Sequence, residues 1–152
     1  MALMFYPHIP VADLERSRVF YTALGWDVGP GLEEGHSVLI QLAENFGVTL
    51  VEREYMQQVI GEDKELADPS RAVGAAYALV VDTPEEVDAL VDRAVAAGAV
   101  AVRSEDAGFM RDRVFADPDG HRWSIAWVDP LMMARDWNAL RAKYPEAELP
   151  QG

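Results

Sequence analysis

The chain has 152 residues, a formal net charge of −13 and no cysteine. That length suits one ordinary domain, or two small modules sharing a core. The missing thiols exclude disulfides, thiolate nucleophiles and cysteine-based zinc or iron–sulfur centres, and the excess of carboxylates repels phosphate backbones and anionic lipid, so neither nucleic acid nor a membrane is an expected partner.

Acidity also serves plain solubility, and it leaves room for a locally basic pocket. No apolar run is long enough to span a bilayer. The first residues lack the basic and then apolar pattern of a secretory leader. A cytoplasmic location is the expectation.

The apolar run Phe5 to Val11 reads as a strand. Pro7 and Pro10 cannot donate to a ladder, which places it at an edge or a bulge. Asp13 is suited to cap a helix, because its carboxylate can accept from exposed helix amides. Leu14, Ser17, Phe20, Tyr21 and Leu24 follow at helical spacing, and Gly25 can take the positive φ that ends a helix. Gly29-Pro30-Gly31 reads as a turn. Ser37 to Leu42 and Val48 to Glu52 read as strands, and Tyr55 to Ile60 as a helical turn. The polar stretch 61–73 reads as a linker between a first module, 4–60, and a second, 74–130.

The second module repeats the order of the first. A strand over Gly74 to Val81 precedes Thr83-Pro84-Glu85-Glu86, the pattern of an N-cap, a proline at the first helical position and a capping box. Val87, Leu90, Val91, Ala94 and Val95 form an apolar stripe, and Gly98 stops the helix. Val100 to Arg103, Arg111 to Ala116 and Arg122 to Val128 read as strands, with a tight turn at Asp117-Pro118-Asp119-Gly120. A single C-terminal helix is expected over 131–143. The fold class is α+β, built from paired β-α-β-β-β modules.

Two stretches carry a family resemblance. One is Ile9-Pro10-Val11-Ala12-Asp13-Leu14-Glu15-Arg16-Ser17 with Phe20-Tyr21 and Leu24-Gly25-Trp26. The other is Phe115-Ala116-Asp117-Pro118-Asp119-Gly120-His121-Arg122-Trp123. With Gly108-Phe109-Met110 and Trp127-Val128-Asp129-Pro130, they make the chain resemble the vicinal oxygen chelate superfamily, which includes glyoxalase I, extradiol dioxygenases and the bleomycin- and fosfomycin-resistance proteins. The resemblance implies curled mixed sheets around a cavity in a single domain, 1–152, and a homodimer. In metal-dependent members it implies a ligand on each of four strands. Those positions hold Tyr6, Ala76, Ser124 and either Glu52 or Leu50 here. Alanine has no donor atom, and neutral Ser and Tyr are poor ligands for a divalent ion. The expectation is no cofactor and no metal site.

Tyr6 and His8 share one face of the first strand. His8 is either a base or ligand donor, with a pKa near neutrality, or a hydrogen-bonded residue of the strand end. Glu52 is either an inward, desolvated base or a solvated charge paired with a neighbour. Arg113 shares a face with Arg111 and either binds an anionic ligand or balances charge at the surface. Trp123 and Trp127 lie opposite Ser124 and Ala126 and are read as core. His36 and His121 are read as surface residues.

Together these readings point to a small, partly apolar ligand, as in a resistance protein that sequesters a drug. Its expected pocket is lined by Tyr6, His8, Glu52, Met110, Arg113 and Ser124. The alternative is a glyoxalase-type lyase or isomerase, or a dioxygenase, with a divalent metal relocated onto His8 and Glu52.

Overall fold

The computed structural model describes residues 3–149. It divides into two compact units, one running to Gly74 and taking in Pro118–Gly120, the other made of Ala75–Asp117 and the chain from His121. Each unit holds one mixed four-stranded sheet. The α+β class and the doubled β-α-β-β-β order stand as read from the sequence.

The first unit runs β1 (His8–Val11), α1 (Leu14–Ala23), β2 (Asp27–Pro30), β3 (Ser37–Ala43), β4 (Phe46–Glu52) and α2 (Arg53–Ile60). Its sheet order is β1-β4-β3-β2, with β1 parallel to β4. The outer strands do not pair with each other, so the sheet is open rather than a barrel. β1 is an edge strand, which suits Pro10 within it and Pro7 just before it. Helix α1 starts where Asp13 accepts from the Arg16 N–H at 2.9 Å and ends before Gly25, whose φ is +83°. The core joins Ile9, Val11, Ile40, Val48 and Leu50 of the sheet to Phe20, Tyr21 and Leu24 of the α1 segment. Each such side chain contributes about 1.5–3 kcal/mol on burial.

The second unit runs β5 (Ala76–Val80), α3 (Pro84–Ala96), β6 (Val100–Asp106), β7 (Met110–Ala116), β8 (Arg122–Val128), α4 (Pro130–Met133) and α5 (Trp137–Lys143). Its order, β5-β8-β7-β6, repeats that of the first. The capping box at Thr83 and Glu86 is formed in full. Val87, Leu90, Val91 and Ala94 are buried, as are Phe115, Trp123 and Ile125 on the sheet.

Three expectations are corrected. The turn at Gly29-Pro30-Gly31 is partly strand, since β2 extends through Pro30. An outer strand tolerates a proline because one row of its N–H groups needs no partner. The C-terminal helix is two helices, because Arg135 takes φ +57° and Asp136 starts a new helix by accepting from the Ala139 N–H at 3.0 Å. His121 is buried rather than exposed. Its N–H donates to Asp117 Oδ1 at 2.9 Å, and its ring meets Tyr77 edge-on.

Candidate functional site

Strand pairing assigns every side chain of the first sheet to a face, because partners across a ladder share a side and neighbours along a strand alternate. Ile9 pairs with Leu50, and Leu50 with Val38. These belong to the buried apolar face that packs with α1. His8 pairs with Thr49, and Thr49 with Leu39, so His8 lies on the opposite face. Tyr6 lies there too, beside Gly47, and its hydroxyl accepts from Gln41 Nε2 at 3.0 Å. Tyr6 is half-buried and His8 is exposed.

Glu52 pairs with Val11, which puts it on the α1 side, away from His8. Its Oε2 lies 2.7 Å from Nδ1 of His36, whose ring stacks on Tyr55 with centroids 4.6 Å apart. The sequence reading sees His36 as a lone surface residue. The pairing arises because His36 and Glu52 extend the β3/β4 ladder one step beyond Ser37 and Val51.

In the second sheet the side chains divide as cleanly. Arg111 and Arg113 face α3. Arg111 Nη2 lies 2.7 Å from Asp88 Oδ1, and Arg113 Nη1 lies 3.0 Å from Asp88 Oδ1 and 2.9 Å from Asp92 Oδ1. Hydrogen bonding to Arg111 holds the Asp88 carboxyl below its ordinary range. Met110 and Ser124 lie on the other face, with Ala78, Val80, Val114 and Ala126.

One further residue on that face is missed by the sequence reading. Asp112 is buried, accepts from Ser124 Oγ at 2.6 Å and lies 3.3 Å from Arg103 Nη1. A signal for it exists. Alternation that groups Arg111 with Arg113 also groups Asp112 with Met110 and Val114, leaving a carboxylate among apolar neighbours.

The first unit also contains a cleft of about 330 Å³ lined by Arg16, Arg53, Asp68, Ser70, Asp119 and prolines 10, 69 and 118. Its polar groups are already engaged. Arg16 meets Asp119 at 2.8 Å, Arg53 donates to the Leu66 and Ala67 carbonyls, and Asp68 accepts from Ser70.

The family model for the Glyoxalase/Bleomycin resistance protein/Dioxygenase superfamily matches residues 4–125. The chain belongs to this superfamily. Comparison with curated proteins finds no match. Among solved structures, a hypothetical protein from S. aureus is 29% identical, with a TM-score of 0.70 over 84% of this chain and 94% of that one. A glyoxalase-related enzyme from Fulvimarina pelagi is 27% identical, with a TM-score of 0.68 over 86% and 91%. Lactoylglutathione lyase from Agrobacterium tumefaciens is 17% identical, with a TM-score of 0.61 over 83% and 92%, a likeness of fold alone.

Metal-dependent members of the superfamily need anionic or imidazole donors that converge. At the positions the resemblance picks out, this member offers a phenol that accepts from Gln41, a methyl group and a hydroxyl that donates to Asp112. His8 and Glu52 occupy opposite faces of one sheet. Among the described residues, no three His, Cys, Asp or Glu side chains are grouped to hold an ion. Tyr6, Ala76 and Ser124 thus supply neither a carboxylate nor an imidazole. No described helix is long and apolar enough to cross a membrane.

Proposed function

We propose that this superfamily member binds a small, partly apolar organic molecule without a divalent metal, in the manner of a sequestering protein. The observation that carries the reading is the make-up of the sheet face turned away from α3. Ala78, Val80, Val114 and Ala126 form a low, apolar wall beside Asp112, which accepts from Ser124 and Arg103, and Arg122 lies further along the same face. Small side chains leave volume, and few polar groups fix orientation, which is the chemistry of a small-molecule site. Met110 and Ser124 lie on this face of the second sheet. Tyr6 and His8 hold the equivalent face of the first sheet. Glu52 and Arg113 are left out, because each is committed on the helix-covered side. The lyase or dioxygenase alternative needs His8 and Glu52 on one side of a strand ladder, and nothing in the geometry favours it.

Untagged protein is expected to carry far less than one equivalent of metal by elemental analysis. Zinc, nickel, manganese or ferrous iron is expected to leave its melting temperature where EDTA leaves it. Near-stoichiometric metal that disappears in His8→Ala would overturn the proposal. On the ligand side, a broad thermal-shift screen is expected to yield compounds that raise the melting temperature, since a ligand selective for the native state must stabilise it. Filling the wall with Ala126→Phe is expected to weaken the best of them by about tenfold or more, near 1.4 kcal/mol.

A further inference from the structure

Directly paired residues share a face, so the side of the second sheet turned away from α3 divides into rows. One row crosses all four strands as Ala76, Arg122, Ala116 and Val100. Arg103 stands one row further on, and Asp112 and Glu105 two rows further on. The two cations and two carboxylates on these rows balance in number but not in place. Arg103 is held by Glu105 and Asp112. Arg122 is the single polar side chain of its row, and Asp112 lies four residues along the β7/β8 ladder from it, about 13 Å away. Four arginines of the described chain are half-buried: Arg53, Arg111, Arg113 and Arg122. Arg53 donates to the Leu66 and Ala67 carbonyls, and Arg111 and Arg113 meet Asp88. Arg122 differs, because among the described residues nothing accepts from its guanidinium. The chain has 26 acidic residues against 13 lysines and arginines, so carboxylates are not scarce. Drawing a guanidinium partly out of water costs solvation, which a charged acceptor restores.

We infer that Arg122 anchors the carboxylate of an apolar monocarboxylic acid whose body lies over Ala78 and Val114 in the next row. The planar fork of a guanidinium matches a carboxylate through two parallel N–H···O bonds. The residues directly across both ladders, Ala76 and Ala116, are short and leave room beside it. One guanidinium answers one negative charge, and the acidity of the whole chain opposes anything more highly charged. An ammonium would meet a like charge at this end of the face, and at the other a carboxylate already shared by Ser124 and Arg103. The inference rests on the proposed binding function, because it names the ligand class for the same face.

The test uses the full chain and three probes of matched shape: phenylacetate, 2-phenylethanol and 2-phenylethylamine. Calorimetry is run near physiological ionic strength, where charges are screened beyond about 8 Å. Phenylacetate is expected to bind at least about tenfold more tightly than the alcohol, near 1.4 kcal/mol, with the amine weakest. The net charge of −13 favours the reverse order, so this ranking reports a local anchor. Arg122→Gln is expected to bring phenylacetate to the level of the alcohol while leaving the alcohol's affinity and the melting temperature unchanged, since the guanidinium bonds nothing in the fold. Arg122→Lys, which keeps the charge and loses the fork, is expected to recover only part of the preference. Arg141→Gln removes the same charge at an exposed helical site and is expected to leave the preference intact. An alcohol or amine that binds as well as phenylacetate overturns the inference and leaves the binding function standing. So does a carboxylate preference that survives Arg122→Gln or is lost equally in Arg141→Gln, and so does a ligand screen whose hits all bind Arg122→Gln as well as the unaltered chain. Failure of all three probes to bind, together with an unproductive ligand screen, overturns both.

Discussion

Asp119→Ala is expected to lose about 2–3 kcal/mol of stability, near the strength of one or two hydrogen bonds to a charged acceptor. The carboxylate sits deep in the first unit, with its side chain 6% exposed. Its Oδ1 accepts from the Ala12 N–H at 2.9 Å and Arg16 Nη2 at 2.8 Å, and its Oδ2 accepts from Ser17 Oγ at 3.3 Å. These groups surround the entry to α1, where amides have no helical partner. The turn holding Asp119 is fixed by Gly120, whose φ is +104° and whose added Cβ would lie 2.6 Å from the Pro69 carbonyl oxygen. Urea denaturation should separate the contributions. Arg16→Ala removes only a half-exposed ion pair and is expected to lose less than about 1 kcal/mol. If Arg16→Ala matches Asp119→Ala, the ion pair rather than the buried acceptor holds this turn.

Asp129→Ala is expected to be at least as damaging, at about 3 kcal/mol, because a nearly inaccessible charged acceptor with several donors is removed. Asp129 Oδ2 accepts from Lys143 Nζ at 2.6 Å and Tyr144 Oη at 2.7 Å, and its Oδ1 accepts from the Leu131 N–H at 2.8 Å. The side chain is 1% exposed. It ties α5 to the end of β8 and, through its own N–H to the Phe109 carbonyl, to the start of β7 beside Met110. For a chain of this length the loss corresponds to a drop of roughly 6–12 °C in melting temperature.

The same residue sets a dependence on pH. Hydrogen bonding to Lys143, the largest cause, holds the Asp129 carboxyl below its ordinary value despite burial. A folded-state pKa below the unfolded value of about 3.9 adds stability that is present above that value and lost as pH falls through the folded one. At the other end, the Lys143 ammonium is raised by its bond to Asp129. Its contribution is complete below the unfolded pKa of about 10.4 and fades as pH rises through the folded value. Asp129→Asn is expected to flatten both limbs of a plot of stability against pH. An unchanged acid limb would show that other carboxylates govern it.

How much of this was legible beforehand differs by level. The order of elements, the Asp13 and Thr83 caps, the edge position of β1 and the ends of α1 and α3 follow from spacing within a few residues, and the sequence carries them. The break at Arg135 does not follow from spacing. It depends on Asp136 winning an N-cap over continuation of the helix, and Leu140 reaching full burial in α5 rewards that outcome.

For the candidate site the division falls in a specific place. Alternation along Met110–Ala116 determines that Arg111 and Arg113 share one side while Met110, Asp112 and Val114 share the other. It does not say which side a helix covers. That was decided by Asp88 and Asp92 of α3, far away in the chain, which draw the arginines to themselves. Likewise the sequence places Glu52 at a strand end, but only its pairing with Val11 separates it from His8. A strand's own pattern fixes relative faces because side chains alternate strictly. The absolute face, and with it which residues can meet a ligand, depends on partners that only the folded chain brings together.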